Sequence, residues 1–135
     1  MNLRSTASAL IEAALQSAQP DEAVKRALAA HPLHGDVYLV AIGKAAWQMA
    51  RAAVGCLSVK DGVVITKYGH AAGELPGVRI FEAAHPVPDA NSYRATQAAI
   101  DLAASLRAED TVLFLVSGGG SALFEKPLVS DEEMA

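Results

Sequence analysis

The sequence predicts an α/β fold: a mainly parallel sheet flanked by helices and preceded by a helical arm. Two observations carry this reading. Short, nearly continuous apolar runs recur at residues 37–42, 62–66, 78–83 and 112–117, the pattern of strands buried on both faces. Stretches of helical periodicity alternate with them, and that alternation builds a parallel sheet covered by helices. The predicted architecture is a Rossmann-like layered domain.

Leu3, Ala7, Leu10, Ile11, Ala14, Leu15 and Ala18 fall on one helical face, so residues 3–18 read as an amphipathic helix. Pro20-Asp21-Glu22 opens a second helix, whose Val24, Ala27 and Leu28 continue a stripe to about His31. A breaker cluster at residues 32–35 precedes the first strand, which Gly43 ends. An alanine-rich helix over residues 44–55 follows. The second and third strands are separated by too few residues for a crossover helix, so a different kind of joint is expected. A longer helix runs from Asp89 or Asn91 to Leu106, and the fourth strand follows it. At the end of the chain, Ser130 and Glu133 have capping-box spacing and acidic residues fill a first turn. No apolar face follows, so the sequence reads as truncated at the start of a helix near residue 130.

Composition narrows the function. Of 135 residues, 52% are hydrophobic, 28 are alanine and 19% are charged, enough aliphatic material for one core. With 11 basic against 15 acidic residues, the composition argues against a phosphate-reading nucleic-acid binder. The single cysteine, Cys56, excludes a disulfide framework and a cysteine-rich zinc site, and reads as a small buried hydrophobe. The apolar runs are far too short to span a bilayer, and Glu12 interrupts any signal-peptide core. A cytoplasmic protein with no membrane or nucleic-acid partner is expected.

In open parallel sheets, ligands bind beyond the carboxyl ends of the strands. Four loops begin there. The first carries Gly43 and Lys44. A lysine in the first turn of a helix opposes the dipole, and becomes favourable when an anion binds there. The plain alternative is a tight turn with a solvated lysine. Tyr38 and Ala45 stand where a Walker A loop needs glycine and a hydroxyl, so this is not one. The second loop carries Lys67 and His70 around Gly69, and by itself reads best as polar surface. In the third, Pro86 and Pro88 stiffen the backbone between His85 and Asp89. Asp89 is also a helix N-cap candidate. The fourth is Ser117-Gly118-Gly119-Gly120-Ser121, which reads either as a hinge or as a cradle of inward amides and hydroxyls for a phosphate or carboxylate. Its position directly after an apolar strand, with Ala122-Leu123-Phe124 following, favours the cradle. No His and carboxylate pair has metal-ligand spacing within one element.

Four stretches in series carry a resemblance: Gly43-Lys44-Ala45-Ala46, the run from Val63 to His70, the run from Glu82 to Asp89, and the run from Leu115 to Leu123. Together they resemble the N-terminal domain of the class II glycerate 2-kinases, the glycerate kinase family also labelled MOFRL. The resemblance covers essentially the whole chain. It implies ATP-dependent phosphorylation of D-glycerate to 2-phosphoglycerate, with Mg²⁺ as the accompanying ion and its ligands unassigned. It also implies a second, C-terminal domain facing this one across a cleft, so that the fragment alone is inactive. By position, Lys44 would be the catalytic lysine. Gly43 and residues Ser117, Gly118, Gly119, Gly120 and Ser121 would bind phosphate or substrate. His85 and Asp89 would line the cleft, and Lys67 and His70 match the motif. Ala84 departs from a glycine common in the family. Whether the protein forms a homo-oligomer stays open.

Two other classes compete with the kinase. A nicotinamide-dependent hydroxypyruvate reductase acts on the same carbon skeleton, but needs a three-glycine dinucleotide turn and a later acidic residue, and neither glycine turn here supplies them. A non-catalytic sugar-phosphate-binding module would also suit Gly43-Lys44 after a strand.

Overall fold

Four parallel strands form one sheet in the computed structural model, which describes residues 2–129. Chain order is α1 (Leu3–Ser17), α2 (Pro20–Ala30), β1 (Val37–Ile42), α3 (Ala46–Val54), β2 (Val59–Lys67), β3 (Val78–Ala83), α4 (Ala90–Ala104), β4 (Thr111–Val116) and the short α5 (Gly120–Leu123). The α/β layered fold expected from the apolar runs is the fold observed. The helix start expected at Ser130 lies outside the described residues.

β1 is central, and all six of its residues are buried. The strand pleat divides them between two cores. Leu39 and Ala41 join Val64 and Leu115 beneath α2 and α3, around Trp47 and Ala50. Tyr38, Val40 and Ile42 join Val63 and Ile65 beneath α4, with Ala95, Ala99 and Leu102. The many alanines thus have a use: they let α3 and α4 lie close on the sheet.

The strand order also fixes where a ligand can enter. After β1 the chain moves outward to β2 and β3, then returns to place β4 on the other side of β1. The helices that follow β1 and β4 belong to opposite faces, α3 to one core and α5, through Leu123, to the other. Loops leaving adjacent strands in opposite directions open a crevice at the sheet's carboxyl edge.

Several details differ from the sequence reading. β2 starts at Val59, because Val59 and the polar Asp61 still pair with β1 at the sheet's entry edge, where the register shifts past Lys60. β2 and β3 are parallel although the ten residues 68–77 between them contain no helix. That loop is braced by the Trp47 indole donating to the Gly73 carbonyl at 2.9 Å and by a bridge between Leu75 and Val78. β4 is apolar but not buried on both faces: Phe114 is 56% and Val116 65% exposed. It pairs only with β1 among the described residues, so its outer edge and one face lack cover. Cys56 is exposed rather than buried, since it lies just past the end of α3. The apolar stripe of α1 is exposed as well, and no residue of that arm is buried.

Candidate functional site

The carboxyl ends of β1 and β4 interlock. Gly43 donates to the Ile65 carbonyl at 3.0 Å, and its φ of 117° lies where a side chain is strained. A Cβ there would lie 2.3 Å from Ser117 Oγ and 2.5 Å from its carbonyl oxygen, so only glycine allows the two loops to meet. Ser117 closes the joint from its side. Its amide donates to the Ile42 carbonyl at 2.9 Å, and its hydroxyl accepts from the Ala45 amide at 3.0 Å. The Ser117 hydroxyl is therefore engaged in holding the loops, not turned outward as a ligand donor.

Lys44 follows directly. It stands two residues before α3, in a turn and not in the helix itself. Both ends of its peptide are fixed: the amide donates to the Gly118 carbonyl at 2.9 Å, and the carbonyl lies 2.9 Å from His70 Nδ1. The buried Thr66 hydroxyl donates to the same carbonyl at 3.4 Å. The side chain is exposed and forms no ion pair among the described residues. An ammonium held by its backbone, with no carboxylate beside it, is available to an incoming anion.

Gly119 brings the third and fourth loops together. Its φ is 87°, and a Cβ on it would meet His85 Nε2 at 2.9 Å and Lys44 Cε at 3.3 Å. The glycine backbone, the imidazole and the lysine stem thus share one small space. The amides of Gly118 and Gly119 make no hydrogen bond among the described residues. Free amides, an imidazole and an ammonium around a bare glycine can accept a phosphate or carboxylate group without adding any anion of their own.

The remaining predicted residues lie at the margin. His70 is turned to the Lys44 carbonyl through Nδ1. That carbonyl can only accept, so Nδ1 carries the proton and, in the neutral ring, Nε2 does not. Lys67 ends β2 half-buried, and no polar contact links its side chain to the cradle. Gly120 and Ser121 begin α5 and line an open apolar groove of about 560 Å³ beside Phe114 and Val116. Asp89 does cap α4, accepting from the Ser92 amide at 3.0 Å in a reciprocal capping box. Its other oxygen accepts from the Tyr68 hydroxyl at 2.6 Å. Burial works to raise the Asp89 pKa, but the bonds from Tyr68, Ser92 and Ala84 outweigh it and hold the carboxyl below its ordinary value. With both oxygens engaged, Asp89 latches the second loop to the third.

Sequence reasoning missed Tyr68, Thr66 and Glu82. Thr66 had a visible signal, a hydroxyl inside an otherwise apolar strand end. Glu82 had one too, a carboxylate within a six-residue strand.

Among the described residues, no group of three His, Cys, Asp or Glu side chains could hold a metal ion, and no helix is long and apolar enough to cross a membrane. Residues 6–134 match the family described as "Domain of unknown function (DUF4147)". The chain belongs to that family, the N-terminal domain of glycerate 2-kinases. It is 47% identical to D-glycerate 2-kinase of Thermotoga maritima over 98% of its own length and 33% of that protein's. Glycerate 2-kinase of Pyrococcus horikoshii is 39% identical over 94% of the chain, and a protein of Agrobacterium vitis named putative hydroxypyruvate reductase is 39% identical over 87%. The crystal structure of the Thermotoga maritima glycerate kinase superposes with a TM-score of 0.91, covering 98% of the chain and 33% of that structure. A second solved structure, from Pyrococcus horikoshii, gives a TM-score of 0.85 at 38% identity, covering 99% of the chain and 34% of that structure. The chain therefore spans about a third of the length of these relatives.

Proposed function

We propose that this DUF4147 chain supplies one wall of a glycerate 2-kinase site, where ATP phosphorylates the 2-hydroxyl of D-glycerate to give 2-phosphoglycerate and ADP. The observation that carries the reading is the approach of the Lys44 stem and the His85 imidazole to Gly119, beside Gly118 and Gly119 amides that make no hydrogen bond among the described residues. Phosphoryl transfer asks a protein mainly to position its reactants and to offset charge on the phosphoryl oxygens. In this site Lys44 is the group that offsets that charge, and the glycine amides and His85 orient the anionic groups. Gly43 and Ser117 hold the two loops in register. The described residues do not form a carboxylate cluster for Mg²⁺, so no step here is assigned to the ion. The relatives are about three times as long, and on this reading a second domain faces the cradle and completes the site.

The test is ADP release with D-glycerate, measured on the complete natural polypeptide that contains this chain. Glycerate-dependent ADP formation is expected, and Lys44→Ala should lower kcat by about two or more orders of magnitude, the scale of one lost transition-state stabiliser. Residues 1–135 alone should show no turnover. Absence of glycerate-dependent ADP together with hydroxypyruvate-dependent NADH oxidation would replace the kinase with the reductase. A phosphorylated ligand bound tightly by residues 1–135 without any turnover partner would favour the binding module.

A further inference from the structure

Glu82 lies on β3, two strands away from β1, and touches none of the cradle groups directly. Its carboxylate nevertheless accepts two backbone amides of the β2–β3 loop, His70 at 3.1 Å and Ala71 at 3.0 Å. The His70 amide also donates to the Lys67 carbonyl at 3.0 Å, closing a turn. That turn delivers the His70 ring, with Nδ1 2.9 Å from the Lys44 carbonyl. Lys44 in turn is bound at its amide to Gly118. A continuous path of hydrogen bonds therefore runs from Glu82 through His70 to the peptide that carries the lysine.

We propose that Glu82 is a positioning residue for Lys44, acting through His70; its part in phosphoryl transfer rests on the kinase reading above. The physical need is plain. The His70–Lys44 bond is solvent-exposed, and water competes for both partners. Such a bond persists only where the ring is held in place beforehand, since otherwise forming it must order a whole loop. An ionised carboxylate accepting two adjacent amides is a strong, charge-assisted restraint on that loop. Removing it frees the loop, then the ring, then the Lys44 peptide, while Thr66 keeps a weaker hold on the same carbonyl. Lysine misplaced by about 1 Å is enough to slow a positioned reaction by up to about 100-fold.

Three measurements test this. On the 135-residue chain, ¹⁵N shifts of the His70 ring are read at about pH 8.5, two units above the ordinary imidazole value of about 6.5, with His70→Gln identifying the signals. Wild type should show a protonated Nδ1 and a bare Nε2. Glu82→Ala should lose that preference, and Glu82→Gln, which keeps an oxygen at the same reach, should restore it. Hydrogen exchange on the same chain should show the Lys44 amide exchanging about 10-fold faster in Glu82→Ala, with the amides of β1 unchanged. In the complete natural polypeptide, Glu82→Ala should lower kcat about 10- to 100-fold with KM shifted far less, and should add nothing in a His70→Gln background. An unchanged His70 signature, an unchanged Lys44 amide, or additive kcat losses would each overturn the proposal. If the wild-type polypeptide releases no ADP, the kinase reading fails, and the two measurements on the 135-residue chain still decide whether Glu82 positions Lys44.

Discussion

β1 and β4 are adjacent, parallel, six residues long and almost wholly apolar, yet they differ sharply in burial. Every residue of β1 is buried, whereas Phe114 and Val116 of β4 are more than half exposed. An apolar run therefore announces a strand but not its surroundings. Burial is conferred by neighbours: β1 has β2 on one side, β4 on the other, and helices over both faces. β4 has a partner on one edge and its Phe114–Val116 face bare among the described residues. Where the two strands end, however, they are equally constrained, because Gly43 and Ser117 meet in a single joint.

The largest expected effect lies in β1. Leu39→Ala should cost about 3–5 kcal/mol in chemical denaturation, as for a fully enclosed leucine, while Phe114→Ala in β4 should cost less than about 1 kcal/mol. Equal losses would mean that β4 is covered in solution. Next comes the joint itself. Gly43→Ala combines backbone strain with a collision against Ser117, and should cost about 2–4 kcal/mol. Gly118→Ala has open space at its Cβ and should be far milder. Val116→Thr on the bare face should stay within about 0.5 kcal/mol and reduce concentration-dependent light scattering. The smallest effect concerns the latch beside the cradle. A carboxyl whose pKa is lower folded than unfolded adds stability above its unfolded value of about 3.9, and that stability fades as pH falls through the folded value. Acid titration of wild type should therefore show a loss below about pH 4 that is shallower in Asp89→Asn, where the cap persists and the charge does not.

Much of this was legible in the residues. The four strands, the alternating helices and the parallel sheet follow from apolar runs between helical stripes, although only β1 is buried along its whole length. Gly43, Lys44 and the glycine loop were legible as residues of the carboxyl edge, since each directly follows an apolar run, while a tight turn and a hinge fitted the same residues. The bareness of β4 was not legible, because a strand's sequence records its own polarity and not which neighbours stand beside it. Nor was the orientation of His70 and Ser117, or the bond from Tyr68 to Asp89, although the cap that Asp89 places on α4 was legible. Each is a polar residue in a polar loop, and only distances show where these hydrogen bonds run: His70 to the Lys44 carbonyl, Ser117 to the Ala45 amide, Tyr68 to Asp89. The tether through Tyr68 joins residues 21 positions apart in the chain, a separation that carries no local pattern.

The contact between Gly43 and Ser117 has a consequence for engineering. Because each loop is shaped around the other's backbone, the pair behaves as one transferable part with two stretches of sequence. A chimaera taking the β1–α3 turn from one relative and the β4–α5 turn from another inherits half a fitting from each. Grafting this anion-facing edge onto a different parallel sheet means moving both turns at once, together with the spacing of the two strands that deliver them.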